Sequence, residues 1–130
     1  MQTTVFIDGA SRNHGMPGRS RAACAVVIFQ DREEVVRFVR GLGDRTNEEA
    51  EYEALIDALL ICSMSDMRQP VIYSDSSVVV GLTKNKMVCR DRKLLPYYMT
   101  VKELSMTIGF HIKQVPRTKS SYQTVYVISS

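Results

Sequence analysis

Three carboxylates, Asp8, Glu51 and Asp75, stand at the ends of apolar elements rather than among solvated charges. Asp8 closes the run Val5-Phe6-Ile7, and Gly9, Ala10 and Ser11 follow at once. Small residues in that place suit a close approach by backbone or ligand. Asp75 closes Val71-Ile72-Tyr73-Ser74. Glu51 lies one helical turn before Leu55 and two before Ala58, so it continues an inward apolar stripe that Glu48, Glu49 and Glu53 do not share. Taken singly, Asp75 reads equally well as a cap residue; a simple turn at Asp8 and a frayed first turn at Glu51 are the weaker alternatives. Together they repel, and they cannot all stay ionised without a cation. An oxygen donor set without His or Cys favours Mg²⁺ or Mn²⁺. Two such ions about 4 Å apart activate a water and stabilise the leaving oxygen of a phosphodiester. The chemistry expected of this set is metal-assisted cutting of nucleic acid.

The elements that must position these acids follow from hydrophobic pattern and punctuation. Residues 3–8 read as a buried strand, and 9–20 as a long loop marked by Gly9, Gly15, Pro17 and Gly18. Residues 22–30 form a second strand, Asp31-Arg32 a tight turn, and 34–40 a third strand; short connections favour an antiparallel meander. After a break at 41–45, Thr46 or Asn47 caps a helix that runs to Cys62 or Met64, with acids in its first turn. A strand over 70–75 follows this crossover helix and so should run parallel to the first. Then come a short helix over about 76–84, a basic loop over 84–92, and an amphipathic helix over 93–107 with Pro96 in its first turn. A strand over 110–115 follows, and after Pro116 the pattern suits a strand or extended arm. The order β-β-β-α-β-α-α-β is that of an α/β domain with a mixed sheet and helices on its faces. Ligands of such sheets bind beyond the ends of central strands.

With 130 residues the chain is expected to form a single domain, 1–130. No apolar run approaches the ~20 residues of a membrane span, so no membrane partner is expected. The start, Met1-Gln2-Thr3-Thr4, lacks the basic and apolar regions of a secretory signal. Cys24, Cys62 and Cys89 are odd in number and widely spaced, which suits reduced thiols in an intracellular, reducing compartment. His14 and His111 read as loop and strand residues rather than metal ligands. The net charge of +3 says less than its distribution. Arg12, Arg19 and Arg21 cluster around the first loop, and Lys84, Lys86, Arg90, Arg92 and Lys93 crowd another stretch against the single acid Asp91. Each cluster is either a solvated face or a phosphate contact.

Three motifs carry a family resemblance. Phe6-Ile7-Asp8-Gly9-Ala10-Ser11-Arg12, then Thr46-Asn47-Glu48-Glu49-Ala50-Glu51-Tyr52-Glu53-Ala54-Leu55, then Tyr73-Ser74-Asp75-Ser76 resemble, in order and spacing, the successive motifs of type 1 ribonucleases H. The middle motif is the most specific. The resemblance spans about residues 4–117, and Val115-Pro116-Arg117 resembles the start of the family's last motif. It implies the RNase H-like fold: a five-stranded mixed sheet of order 3-2-1-4-5, strand 2 antiparallel, with helices on both faces. It implies cleavage of the RNA strand of RNA–DNA hybrids with two Mg²⁺ (or Mn²⁺), Asp8 bridging both ions and Glu51 and Asp75 holding the second. Thr46 and Asn47 match positions that touch the nucleic-acid backbone and minor groove, and Asn13 matches one that senses 2′-hydroxyls. Arg12 joins this contact set. Lys84, Lys86 and Arg90 fall where some members carry a basic hybrid-binding element. The chain departs from the family in its tail, 118–130. Thr124, beside Gln123, stands where a fourth catalytic acid is expected, and no Asp or Glu follows Glu103. The departure implies weakened activity, or the alternative of a catalytically inactive RNase H-like module that binds nucleic acid or a protein.

Overall fold

Strand β1 spans Thr3–Arg12, β2 Arg21–Gln30 and β3 Glu33–Gly43, and helix α1 covers Asn47–Met64. They are followed by β4 (Val71–Ser74), α2 (Ser77–Thr83), α3 (Leu95–Leu104) and β5 (His111–Gln114). The structure, a computed structural model, describes residues 1–116. The element order is the one expected from the sequence. The five strands form one sheet in the order β3-β2-β1-β4-β5. β2 is antiparallel to β1 and β3, while β4 runs parallel to β1 and β5. Asp31 takes the left-handed conformation (φ 57°) that lets β2 reverse into β3 within a tight turn. The return from β3 to a strand parallel with β1 needs a crossover, and α1 supplies it.

Alternation along the strands sends one set of side chains to α1. Val5 and Ile7 of β1, Val26 and Ile28 of β2, Ile72 of β4 and Ile112 of β5 form one buried cluster with Leu55, Ala58, Leu59 and Cys62 of α1. Val79 and Leu82 of α2 and Val101 of α3 join the same cluster. On the opposite face Phe6 stacks on Tyr73 (centroids 5.3 Å apart) and meets Phe29 edge-on (6.0 Å). All three helices contribute to that one buried cluster.

The expected loop over 9–20 begins too early. Pairing of β1 with β2 continues from Asp8↔Ala25 through Gly9↔Cys24 to Arg12↔Arg21, so Gly9, Ala10 and Ser11 are strand residues despite their weak strand propensity. α3 is shorter than the expected 93–107, with Pro96 in its first turn as predicted. β3 is an outer edge of the sheet and is tied down by charges. Arg40 reaches α1, where its Nη2 donates to Glu53 Oε1 (2.8 Å) and its Nε to Asp57 Oδ2 (3.1 Å). Tyr97 of α3 donates its hydroxyl to the other Glu53 oxygen at 2.9 Å. The Arg40 guanidinium and the Tyr97 hydroxyl, meeting on the half-buried acids of α1, thus join β3, α1 and α3. Farther along β3, Arg37 pairs with Glu34 at 2.6 Å.

Candidate metal centre

Three elements deliver the three acids. Asp8 sits mid-strand in β1, Glu51 in the first helical turns of α1, and Asp75 directly after the last residue of β4. One carboxylate oxygen from each lies within 4.8 Å of the others. Asp8 and Glu51 are buried (4% and 2% exposed) and Asp75 is half-buried. The close approach that sequence assigns to the residues after Asp8 is made by α1. A Cβ on Gly9 would overlap the Glu51 backbone nitrogen and the Ala50 carbonyl carbon and lie 2.8 Å from the Ala50 carbonyl oxygen. The missing side chain lets the start of α1 rest on β1, and this contact brings Glu51 beside Asp8.

Burial pushes the Glu51 carboxyl up to about 8; a hydrogen bond from Ser74 opposes the shift, the charges of Asp8 and Asp75 add to it, and the Gly9 N–H opposes it. Ser74, fully buried, donates its hydroxyl to Glu51 Oε2 at 2.5 Å and accepts the Ser76 N–H at 3.1 Å. The cap of α2 is Ser76, whose Oγ accepts the Val79 N–H. Asp75 is therefore not the helix cap, and its carboxylate lies with the other two. Hard oxygen donors, mutual repulsion and a buried acid with a raised pKa together fit a divalent cation such as Mg²⁺ or Mn²⁺, which neutralises what burial and like charge disfavour.

The residues expected at a nucleic-acid surface fall into three groups. At the start of α1, Thr46 is the N-cap of a capping box: its Oγ1 accepts the Glu49 N–H (3.1 Å) and Glu49 Oε1 accepts the Thr46 N–H (3.0 Å). Asn47 uses its Oδ1 to accept the Ser11 N–H at 2.7 Å, which ties the end of β1 to the helix. In the β1–β2 connection, Arg12 ends β1, and Asn13 (φ 52°) donates its Nδ2 to the Arg19 carbonyl at 3.3 Å. Lys84 is the C-cap of α2, and Lys86 and Arg90 lie between α2 and α3, apart from the acids in the chain. Thr124 lies outside the described residues. His14 pairs with Asp44 (2.9 Å), and His111 is an exposed β5 residue whose N–H bonds Pro70.

Two contributors are absent from the sequence reading. Ser74 shares the inward face with Ile72, and strand alternation alone could have placed it beside Glu51. Asp44 gathers the β1–β2 connection onto the start of α1: its Oδ1 accepts from His14, from the Gly15 N–H and from Ser20. Those hydrogen bonds hold its carboxyl below the usual range, that from Ser20 most of all. Nothing local in the sequence signals that role.

The RNase H family model matches residues 1–124. Among solved structures, LC11-RNase H1, isolated from compost by a metagenomic approach, is 25% identical with a TM-score of 0.84, over 98% of this chain and 95% of that one. RNase H1 from the archaeon Halobacterium salinarum is also 25% identical, with a TM-score of 0.79, over 99% and 95% of the two chains. LC11-RNase H1 in complex with an RNA/DNA hybrid aligns at 21% identity and a TM-score of 0.85, over 97% and 95%. No curated protein matches the sequence. With its family model matched over nearly the whole chain, the protein belongs to the RNase H family.

Proposed function

We propose that this protein is a metal-dependent endoribonuclease that hydrolyses the RNA strand of RNA–DNA hybrids. The observation that carries the reading is the meeting of Asp8, Glu51 and Asp75 oxygens within 4.8 Å in a chain of the RNase H family. The hybrid-bound structure of LC11-RNase H1 supports the choice of substrate. Asp8, Glu51 and Asp75 are the catalytic acids and would hold two Mg²⁺ or Mn²⁺ ions with the substrate in place. When bound, such a pair supplies an activated water and stabilises the leaving oxygen. Ser74 and the Gly9 N–H orient Glu51, and the capping box fixes the helix that carries it. Arg12, Asn13, Thr46, Asn47, Lys84, Lys86 and Arg90 form the surface that takes the hybrid, the cations contacting phosphate and the amides facing the minor groove. The three free thiols suit a reducing compartment.

Thr124 stands where the family pattern calls for an acid, and a hydroxyl is the weaker ligand for a hard cation. Turnover is accordingly expected to be weak, with Mn²⁺ the better metal. The same residue favours a second reading, an RNase H-like module that binds nucleic acid or a protein without cutting. A labelled RNA–DNA hybrid incubated with Mg²⁺ or Mn²⁺, beside the Asp8→Asn variant, separates the two. Cleavage lost in the variant is the expected result. No cleavage with either metal, or equal cleavage by the variant, would overturn the enzyme reading.

A further inference from the structure

Arg12, Arg19 and Arg21 line one cavity of about 210 Å³ at the end of the β1–β2 hairpin, together with Asn13 and Gly18. Arg12 and Arg21 are direct cross-strand partners. Three guanidinium groups are thereby gathered at one end of the hairpin. Among the described residues no carboxylate lines the cavity.

The cavity is preformed. Asn13, Gly15 and Gly18 each adopt positive φ, and backbone bonds from Met16 to Asn13 and from Arg19 and Ser20 to Met16 close the turn. The Asn13 side chain holds the Arg19 carbonyl. A fixed loop that presents guanidinium forks matches phosphate geometry without first losing loop freedom. Arg12 also lies on the same face of β1 as Asp8, four residues farther along, which is about 13 Å of strand. A duplex lying over the acids therefore runs within reach of this cavity.

We infer that Arg12, Arg19 and Arg21 form a phosphate site that grips the backbone of the nucleic-acid duplex away from the point of cleavage. The inference rests on the hybrid-cleaving reading for its ligand and adds to it Arg19 and Arg21. Its contribution is to affinity and register, since phosphate contacts carry no base information.

The test uses the full chain carrying Asp8→Asn, so that bound hybrid survives, and a fluorescent RNA–DNA hybrid titrated over a series of NaCl concentrations. Adding Arg19→Ala with Arg21→Ala is expected to weaken binding at least tenfold at low salt. The slope of log K against log salt should fall by about 2, roughly 1 for each guanidinium removed. Arg19→Lys with Arg21→Lys should restore the slope, and a thermal melt should find the alanine pair as stable as its parent, because both side chains are exposed. An unchanged slope, or no hybrid binding by the parent, would overturn the inference. Inorganic phosphate alone raising the melting temperature as much as the hybrid would reduce the cavity to a small-anion site and overturn it too. The two proposals fail separately. A chain with Asp8 intact that cuts hybrid while the slope is unmoved removes the arginine site alone. A chain that never cuts, with a slope that falls, keeps the site and removes the enzyme.

Discussion

The Ser74 hydroxyl is bonded to Glu51 Oε2 at 2.5 Å, so the strand that delivers Asp75 also fixes the helix acid opposite it. Ser74→Ala would leave a fully buried acid short of a hydrogen-bond partner, at a cost of about 1–3 kcal/mol. The expected outcome is a lower urea midpoint and weaker Mn²⁺ binding by calorimetry, with turnover down about tenfold. Unaltered Mn²⁺ affinity would show that Ser74 does not organise the acids.

Gly9→Ala places a methyl group against the Glu51 and Ala50 backbone, which cannot rotate away. Overpacking of this kind costs about 1–3 kcal/mol and sometimes more. At Gly109 an added Cβ meets only the flexible Gln69 side chain. Denaturant unfolding should therefore find Gly9→Ala far more damaging than Gly109→Ala; equal effects would mean that the β1–α1 contact yields easily.

Metal-free stability should depend on pH through Glu51. Its carboxyl is raised from 4.5 to about 8, so between those values the folded chain keeps a proton that the unfolded chain releases. Stability from this group is full at low pH, falls as pH rises through the window and levels off above it, a loss of up to a few kcal/mol. Mg²⁺ or Mn²⁺ should raise the melting temperature most at the alkaline end. Glu51→Gln should flatten the profile, and matching slopes for both chains from pH 5 to 8 would refute the assignment.

Thr46→Ala removes one arm of the capping box and should cost ~1 kcal/mol, whereas Thr46→Ser should cost little. If Thr46 also contacts the hybrid, the alanine variant raises KM and the serine variant does not. A thermal melt read beside KM separates capping from contact.

Burial pushes the Cys24 thiol up to about 12, with Asp57 adding to the shift, and burial alone pushes Cys62 up to about 11. Neither forms much thiolate near neutral pH, and neither is accessible. A chromogenic disulfide reagent should titrate one thiol, Cys89, in the native protein and three in denaturant. Two fast thiols in the native state would contradict the packing of β2 against α1.

Much of this was legible because it is local. Helical spacing marked Glu51 as inward, the apolar run before Asp75 marked the end of its strand, and the run before Asp8 marked its strand though not where that strand ends. What escaped is non-local. Gly9, Ala10 and Ser11 are strand residues only because β2 pairs with them. Ser74 takes its meaning from a helix residue 23 positions earlier in the chain. Asp44 binds partners 24 to 30 positions away, a relation no periodicity encodes. The tail that carries Thr124 lies outside the described residues, so the site's fourth position rests on sequence alone.

β3 runs along the rim of the sheet for 11 residues, long enough to template a strand from another molecule. Its register against β2 is broken near both ends, and its outer length carries Glu33, Glu34 and Arg37, while Arg40 is drawn in to α1. An incoming strand would meet a kinked partner and would have to desolvate those charges. The rim is thereby defended against strand-by-strand aggregation, and neutralising Glu33, Glu34 and Arg37 together should lower the concentration at which the protein begins to form β-rich aggregates.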